Sequence, residues 1–345
     1  MKYLSYLNIK NFRGVKDLEL KDFLATNIIV GDNNSGKTSL LEAISLLENP
    51  DSIKNMLLNA SKRDSNNVSK FELFLEMFPK NQNENRAIHI DSMINECRNE
   101  LSIEGNLSDI VDLNSGENYF DSKVFEGKVS LKKDDEELIN KDIYIQENKQ
   151  LRFNGSYNII KIVYVTPYDH FRESLLNTTV EAIKEGDKDK ITKLIKRFDE
   201  NIIGFEVLPN SYMNTTSIYI NHKKYKLMPL SSFGDGVKKV ITLAAALVSA
   251  RNGILLIDEI ETAIYKDMIK EVFDWFVKAC REYKVQLICT THSLEVIDSM
   301  IEGIGNNLDD LACFRIETID DYAYTTRFSG SKLKDIRTIL GQDVR

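Results

Sequence analysis

"NIIVGDNNSGKTSLLEAI", Asn27 to Ile44, decides how the whole chain is read. Asn27 to Val30 reads as a short buried strand, and Gly31 to Thr38 fits G-x-x-x-x-G-K-[ST], the loop that joins a strand to a helix and binds phosphate. Gly31 and Gly36 let the backbone curl until successive N–H groups converge on an anion, and a helix from Lys37 to about Leu47 adds its positive N-terminal end. Asn33, Asn34 and Ser35 fill the loop and Ser39 follows it, so all belong to the expected nucleotide-binding set. Lys37 is placed to reach the β- and γ-phosphates, and Thr38 offers a hydroxyl to Mg²⁺. Leu40, Leu41 and Ile44, at helical spacing, pin the helix to the sheet. The bland alternative is a Gly/Asn-rich turn. Strand, complete motif and helix in order argue against it, although the loop alone names no reaction.

Composition bounds the rest. A chain of 345 residues with 42% hydrophobic content can bury a large core, as one large domain or two smaller ones. A net charge of −8 argues against a globally basic nucleic-acid binder while leaving room for a local positive groove. Cys97, Cys280, Cys289 and Cys313 show no metal-ligand spacing, and a reduced, cytoplasmic setting is expected. The start "MKYLSYLNIKNFRG" lacks a signal-peptide core, and the longest helical apolar run, Val240 to Ala250, is too short to span a bilayer, so no membrane role is expected.

Along the chain, residues 3–9 alternate like a strand, and 18–30 hold another strand and the one feeding the loop. A polar helix is expected over 51–63. Over 69–151, runs such as "KFELFLEMF" and "DIYIQ" between Asn/Asp/Gly-rich turns predict an antiparallel meander. "NIIKIVYVTP", 158–167, reads as a buried strand ended by Pro167, and 170–200 as a charged helix carrying Ile183, Ile191, Leu194, Ile195 and Phe198 on its apolar stripe. Strand-like runs at 202–208 and 216–221 lead to a turn and helix in "PLSSFGDGVKKVITLAAALVSA". "GILLIDEI" and "VQLICTTHS" are buried strands, separated by a helix from Ala263 to Cys280 and followed by one from Leu294. "ETIDDYAY" reads as a hairpin with Asp320 and Asp321 in its turn. Strands alternating with helices mean a mainly parallel sheet covered on both faces.

The chemistry gathers at strand ends. "ILLIDEIE" places Asp258 and Glu259 where a buried strand runs out, in the crevice where open α/β sheets collect ligands. Asp258 can hold Mg²⁺, and Glu259 can orient and deprotonate a water for in-line attack on a γ-phosphate. Glu261 competes for that role but falls past the strand tip. His292 follows a second buried strand, and the 33 residues from Glu259 leave room for one crossover helix, so both can point at the same phosphate. His89, His170 and His222 lack such a context. "LSSFGDGVKK", Leu230 to Lys239, opens a helix and so offers a second anion-binding helix start. One nucleotide needs one phosphate loop, so this second site suits the nucleotide of another subunit.

Together, "IKNFRG", "GDNNSGKTSLLEAI", "PLSSFGDGVKK", "LLIDEIE", "CTTHSLEVID" and "RFSGSKLKDIR" resemble the ABC-type ATPase head shared by RecF, SMC and the OLD nucleases, in particular the stand-alone bacterial AAA15-type branch. The resemblance implies an α/β P-loop NTPase fold with a mainly parallel sheet flanked by helices, an antiparallel β-rich lobe and a helical insertion. It implies one domain over 1–345, with a β-rich lobe at 51–157 and a helical/β subdomain at 168–229 leading to the signature. Ser232, Gly234 and Gly236 would stand for the signature motif that clamps ATP across a head-to-tail dimer. Glu259 would be the catalytic glutamate, His292 the switch histidine, and Arg13 a nucleotide contact. Two departures stand out. "TPYDHF" has no Mg²⁺-contacting glutamine, leaving Asp169 or water for that place, and "SSFGDG" replaces "SGGQ", which loosens the register of the glycines. A Toprim nuclease domain is not expected, because the chain runs only 53 residues beyond His292.

The function expected from this resemblance is ATP hydrolysis, with Mg²⁺, by a homodimer or higher oligomer that regulates an effector encoded nearby, as in bacterial anti-phage systems. The alternatives are a RecF-like repair ATPase acting on DNA and an ATP-gated scaffold with negligible turnover. "IET" after the acidic pair, in place of the transporter-like "PTS", argues against a transporter subunit.

Overall fold

The computed structural model describes residues 1–61, 68–80, 85–112, 120–147, 149, 155, 157–169, 179–180, 183–184, 186–196, 199–210, 215–262, 264, 266–319 and 322–345. Its centre is a six-stranded sheet, formed by strands β3 (Thr26–Gly31), β8 (Ile162–Val165), β12 (Ile254–Ile257), β13 (Gln286–Thr290), β14 (Leu311–Ile319) and β15 (Tyr322–Ser329). Their order is β15-β14-β3-β13-β12-β8. The pairs from β14 to β8 are parallel, and β15 turns back antiparallel at the edge.

Side chains alternate across this sheet with a period of two, as a strand buried on both faces requires. Ile28, Val30, Leu255, Ile257, Leu287 and Cys289 face one core, while Ile29, Ile254, Leu256, Ile288 and Phe314 face the other. The first core is built with helices α4 (Lys188–Ile195), α5 (Asp235–Ser249), α6 (Ile269–Glu282) and α7 (Leu294–Ile304). The second holds α1 (Lys37–Leu46), α2 (Ile53–Ala60), α3 (Lys70–Leu75) and a second sheet.

That second sheet is antiparallel throughout, with order β2-β1-β4-β5-β6-β7. It comprises β1 (Leu4–Phe12), β2 (Val15–Lys21), β4 (Asn85–Ile94), β5 (Cys97–Asp112), β6 (Phe120–Lys133) and β7 (Glu136–Gln146). The meander β4 to β7 therefore extends the N-terminal hairpin. Gln286, wholly buried at the start of β13, ties the two sheets together. Its Oε1 accepts from the Tyr3 and Leu4 N–H groups at 2.9 and 2.7 Å, and its Nε2 donates to the Leu4 and Leu24 carbonyls, both at 2.8 Å. A small third sheet, order β11-β10-β9, joins β9 (Ile202–Asn210), β10 (Thr215–His222) and β11 (Lys226–Pro229), and helix α8 (Gly330–Thr338) follows β15.

Several expectations change. "KFELFLEMF" is not a strand: Ser69 and Glu72 form a reciprocal capping box that starts α3. Phe71, Phe74 and Phe78 then share one buried face at helical spacing, with Phe74 and Phe78 packed edge-on or tilted against Phe125 of β6. The strand expected over 158–167 is only the four residues of β8. The helix expected from Ala263 begins at Ile269, behind a 3-10 turn at Lys266–Met268, with Ala263 itself outside the described residues. Of the stripe expected over 170–200, Ile191 and Ile195 are buried on α4, whereas Phe198 and the Leu194 side chain lie outside the described residues. Asp320, Asp321 and His170 lie outside them too. Among the described residues no helix is long and apolar enough to cross a membrane.

Candidate active site

The loop between β3 and α1 is shaped by two glycines. Gly31 has φ +144°, and a Cβ there would sit 2.2 Å from the Ile316 carbonyl oxygen and 2.9 Å from Ser35 Oγ. Gly36, φ +94°, is the N-cap of α1, where a left-handed conformation frees the first helical N–H groups. The loop borders a cavity of about 1410 Å³, and every expected residue from Asn33 to Ser39 lines it. Ser35 Oγ is buried, without a hydrogen-bonding partner among the described residues. Lys37 folds back over the loop, donating to the Gly31 and Asp32 carbonyls at 2.8 and 2.7 Å. Burial pushes its pKa down, while Asp258, Asp32, Glu259 and Glu261 pull it the other way. A buried ammonium held by two carbonyl oxygens can exchange them for an anion.

Opposite the loop lies the end of β12. Thr38 Oγ1 donates to Asp258 Oδ2 at 2.8 Å, and Thr290 Oγ1 donates to Asp258 Oδ1 at 2.6 Å. The parallel pairing of β12 with β13 and of β13 with β3 brings these residues together. A hydroxyl and a carboxylate make an all-oxygen donor set suited to a hard divalent cation, and among the described residues no cluster of three His, Cys, Asp or Glu forms a protein-only cage. That combination fits Mg²⁺, which is ordinarily held by one or two carboxylates together with substrate phosphates. Thr38 and Asp258 are the residues that would hold it.

Glu259 is exposed to the cavity and has φ +43°, unusual for a non-glycine residue. Its N–H donates to Thr290 Oγ1 at 2.7 Å, and its carboxylate accepts from Thr262 Oγ1 at 3.2 Å. Glu261 does not line the cavity. Its Oε1 accepts the His292 N–H at 2.7 Å, so it fixes the loop that carries His292 onto the cavity wall.

The other expected residues divide. Arg13 lines the cavity, but its guanidinium is paired with the buried carboxylate of Glu42 on α1 at 2.5 Å. Ser232, Gly234 and Gly236 do not line it. Ser232 and Gly234 stand exposed at the start of α5, and a Cβ on Gly234 would meet nothing within 4 Å, whereas Gly236 is buried in the helix's first turn. Asp169 turns inward, accepting the Thr166 N–H at 2.8 Å, and Thr166 lines the cavity in its stead with a hydroxyl that lacks a partner among the described residues. His222 stacks on Tyr225 and meets Asp199 at 3.1 Å, away from the cavity.

Sequence reasoning missed Thr290, Glu42 and Lys239. A hydroxyl or a charge within an otherwise apolar or helical run carries no signal of its own. Lys239, on α5, is wholly buried, and among the described residues its amine has no hydrogen-bonding partner. Burial pushes its pKa down to about 8 against the pull of Asp169, Glu261, Asp258 and Glu259.

A P-loop on a mixed sheet, an acidic pair at the end of the strand two places along and an antiparallel lobe over α1 define an ABC-type ATPase head. The chain belongs to the family described as "AAA domain, putative AbiEii toxin, Type IV TA system", whose model matches residues 26–298. It is 23% identical to a Helicobacter pylori protein named ATP/GTP phosphatase, over 95% of this chain and 96% of that one. A local stretch of 47 residues is 51% identical to the DNA replication and repair protein RecF of Nitrosococcus oceani, covering 14% of this chain and 13% of that protein. Among solved structures the fold is similar to an Smc head bound to the C-winged helix domain of ScpA (TM-score 0.57, 14% identity, 95% of this chain and 98% of that one). It is also similar to the recombination mediator RecF with ATPrS (TM-score 0.52, 13% identity, 94% and 98%).

Proposed function

We propose that this ATPase hydrolyses ATP with Glu259 as the general base, in a site completed by a second copy of the chain, and that closing and opening of the pair regulates a partner protein. The supporting observation is the division of the two anion-binding helix starts. The start of α1 lines the cavity with Asp258, Glu259 and His292, while the start of α5 lies outside it with Ser232 and Gly234 exposed. Helix N-termini bind anions through unpaired N–H groups, and that of α5 lies outside the cavity that the phosphate loop borders.

In this reading the loop N–H groups and Lys37 hold the β- and γ-phosphates, and Thr38 and Asp258 hold Mg²⁺. The ion, when bound, supplies charge neutralisation at the phosphate oxygens. Glu259 orients a water and takes its proton as the water oxygen bonds to the γ-phosphorus and the bond to the ADP oxygen breaks. His292, held through Glu261, faces the same phosphate. The single-domain organisation over 1–345, with the meander as a lobe on α1 and residues 168–229 leading to the signature, belongs to the same proposal.

The family description, with its toxin–antitoxin setting, favours a role in which the ATPase answers to a partner in defence or stress. The local RecF likeness favours a second reading, an ATPase acting on DNA. Mixing two inactive variants tests the shared site. Lys37→Ala removes the loop cation. Gly234→Glu adds a charge in open space at φ −62°, where the fold itself tolerates a side chain. Mixed chains form some pairs with one intact interface, and partial ATPase activity returns. Full activity of Gly234→Glu alone, in a monomeric protein, contradicts the shared site.

A further inference from the structure

We propose that Thr290 is the positioning residue that sets the geometry of the attacking base, acting through Asp258 and the backbone of Glu259. The inference rests on the reading of Glu259 as that base. Thr290 ends β13, between β3 and β12, and is wholly buried, so it touches neither the cavity nor anything bound there. Its one hydroxyl is used in both directions. The proton goes to Asp258 Oδ1 at 2.6 Å, and a lone pair receives the Glu259 N–H at 2.7 Å. The Thr290 carbonyl accepts the Ile260 N–H at 3.1 Å, and the Glu259 carbonyl accepts the Thr262 N–H at 2.9 Å.

These bonds bracket Glu259. A non-glycine residue at φ +43° stays there only where its surroundings over-determine it, and Thr290 makes two of the bonds that do so. The same hydroxyl completes a line from the phosphate loop to the base: Thr38 Oγ1 to Asp258, Asp258 to Thr290, Thr290 to the Glu259 N–H. A ligand that draws Thr38 away from Asp258 leaves Thr290 as the hydroxyl anchoring that carboxylate. Thr290 therefore keeps Asp258 oriented while the base stays aimed into the cavity, whichever partner Thr38 has.

Thr290→Val keeps the shape and deletes the hydroxyl, and Thr290→Ser keeps the hydroxyl. Steady-state ATP hydrolysis is measured for both, beside Glu259→Gln and wild type, with nucleotide affinity measured separately by calorimetry. Thr290→Val is expected to lower kcat by on the order of a hundredfold, the scale of a small misplacement of catalytic groups, with KM and affinity nearly unchanged. Thr290→Ser is expected to restore most of kcat. If Thr290→Val does not fold, Thr290→Cys, close in size and a weak donor, should show the same split in smaller measure. A valine variant at wild-type kcat beside a slow Glu259→Gln overturns the role of Thr290 and leaves the base intact. Equal losses in valine and serine variants overturn it as well, since packing would then explain them. Wild-type turnover in Glu259→Gln overturns the base and with it this inference.

Discussion

Replacing Gln286 with leucine should cost the fold about 3 kcal/mol while leaving the candidate site residues in place. The side chain makes four hydrogen bonds at the joint between the two large sheets. Leucine fills a similar volume but offers no polar atom. The Leu24 carbonyl keeps the Asn27 amide as a donor at 2.7 Å, so the groups left to lose are the Tyr3 N–H, the Leu4 N–H and the Leu4 carbonyl. At about 1 kcal/mol for each lost bond, the sum is about 3 kcal/mol. Urea unfolding followed by circular dichroism measures it, as a lowered midpoint at an unchanged slope. At low temperature the variant should still bind ATP, because the phosphate loop lies at the opposite end of β3 from this joint. A loss below about 1 kcal/mol would refute the reasoning, since it would mean that the Gln286 hydrogen bonds add little to the joint between the sheets.

Lys37→Ala should abolish ATP binding in a calorimetric titration, because it removes the ammonium folded over the loop. Lys239→Met should raise stability at neutral pH, since the amine is buried without a hydrogen-bonding partner among the described residues. With the folded pKa near 8 and the ordinary value at 10.5, the ammonium is carried in both states below pH 8, and the methionine advantage is fully present there. It fades as pH rises from 8 towards 10.5, where the unfolded chain loses the same proton. Thermal melts of both proteins from pH 7 to pH 10.5 measure it, and an advantage that grows with pH would contradict the assignment.

What the sequence made legible is local. "GDNNSGKTS" and "ILLIDEIE" each lie within one strand and its following turn, so a motif and an apolar run sufficed to place the loop, Asp258 and Glu259. "KFELFLEMF" was ambiguous, since its apolar positions fit a strand's alternation as well as a helical face. The capping pair Ser69 and Glu72 decided for the helix. Thr290 acquires its meaning only from β12 beside it, a long-range pairing that no local pattern encodes. The exposure of the residues expected for the signature had the same origin: Gly236 is buried in the first turn of α5, while Ser232 and Gly234, just before the helix, are exposed. Arg13 lines the cavity, and its pairing with Glu42 of α1 joins residues 29 apart, a contact that no local pattern encodes.

The central claim is that Glu259 performs the chemistry in a site closed by a second chain. The most direct test is Glu259→Gln with Mg²⁺ and ATP, reading phosphate release and, on the same sample, molar mass by light scattering after size exclusion. Retained ATP binding is expected, with turnover reduced by roughly a hundredfold or more and a paired species that accumulates with ATP and disperses without it. Wild-type phosphate release from this variant, or a mass that ATP leaves unchanged, would contradict it.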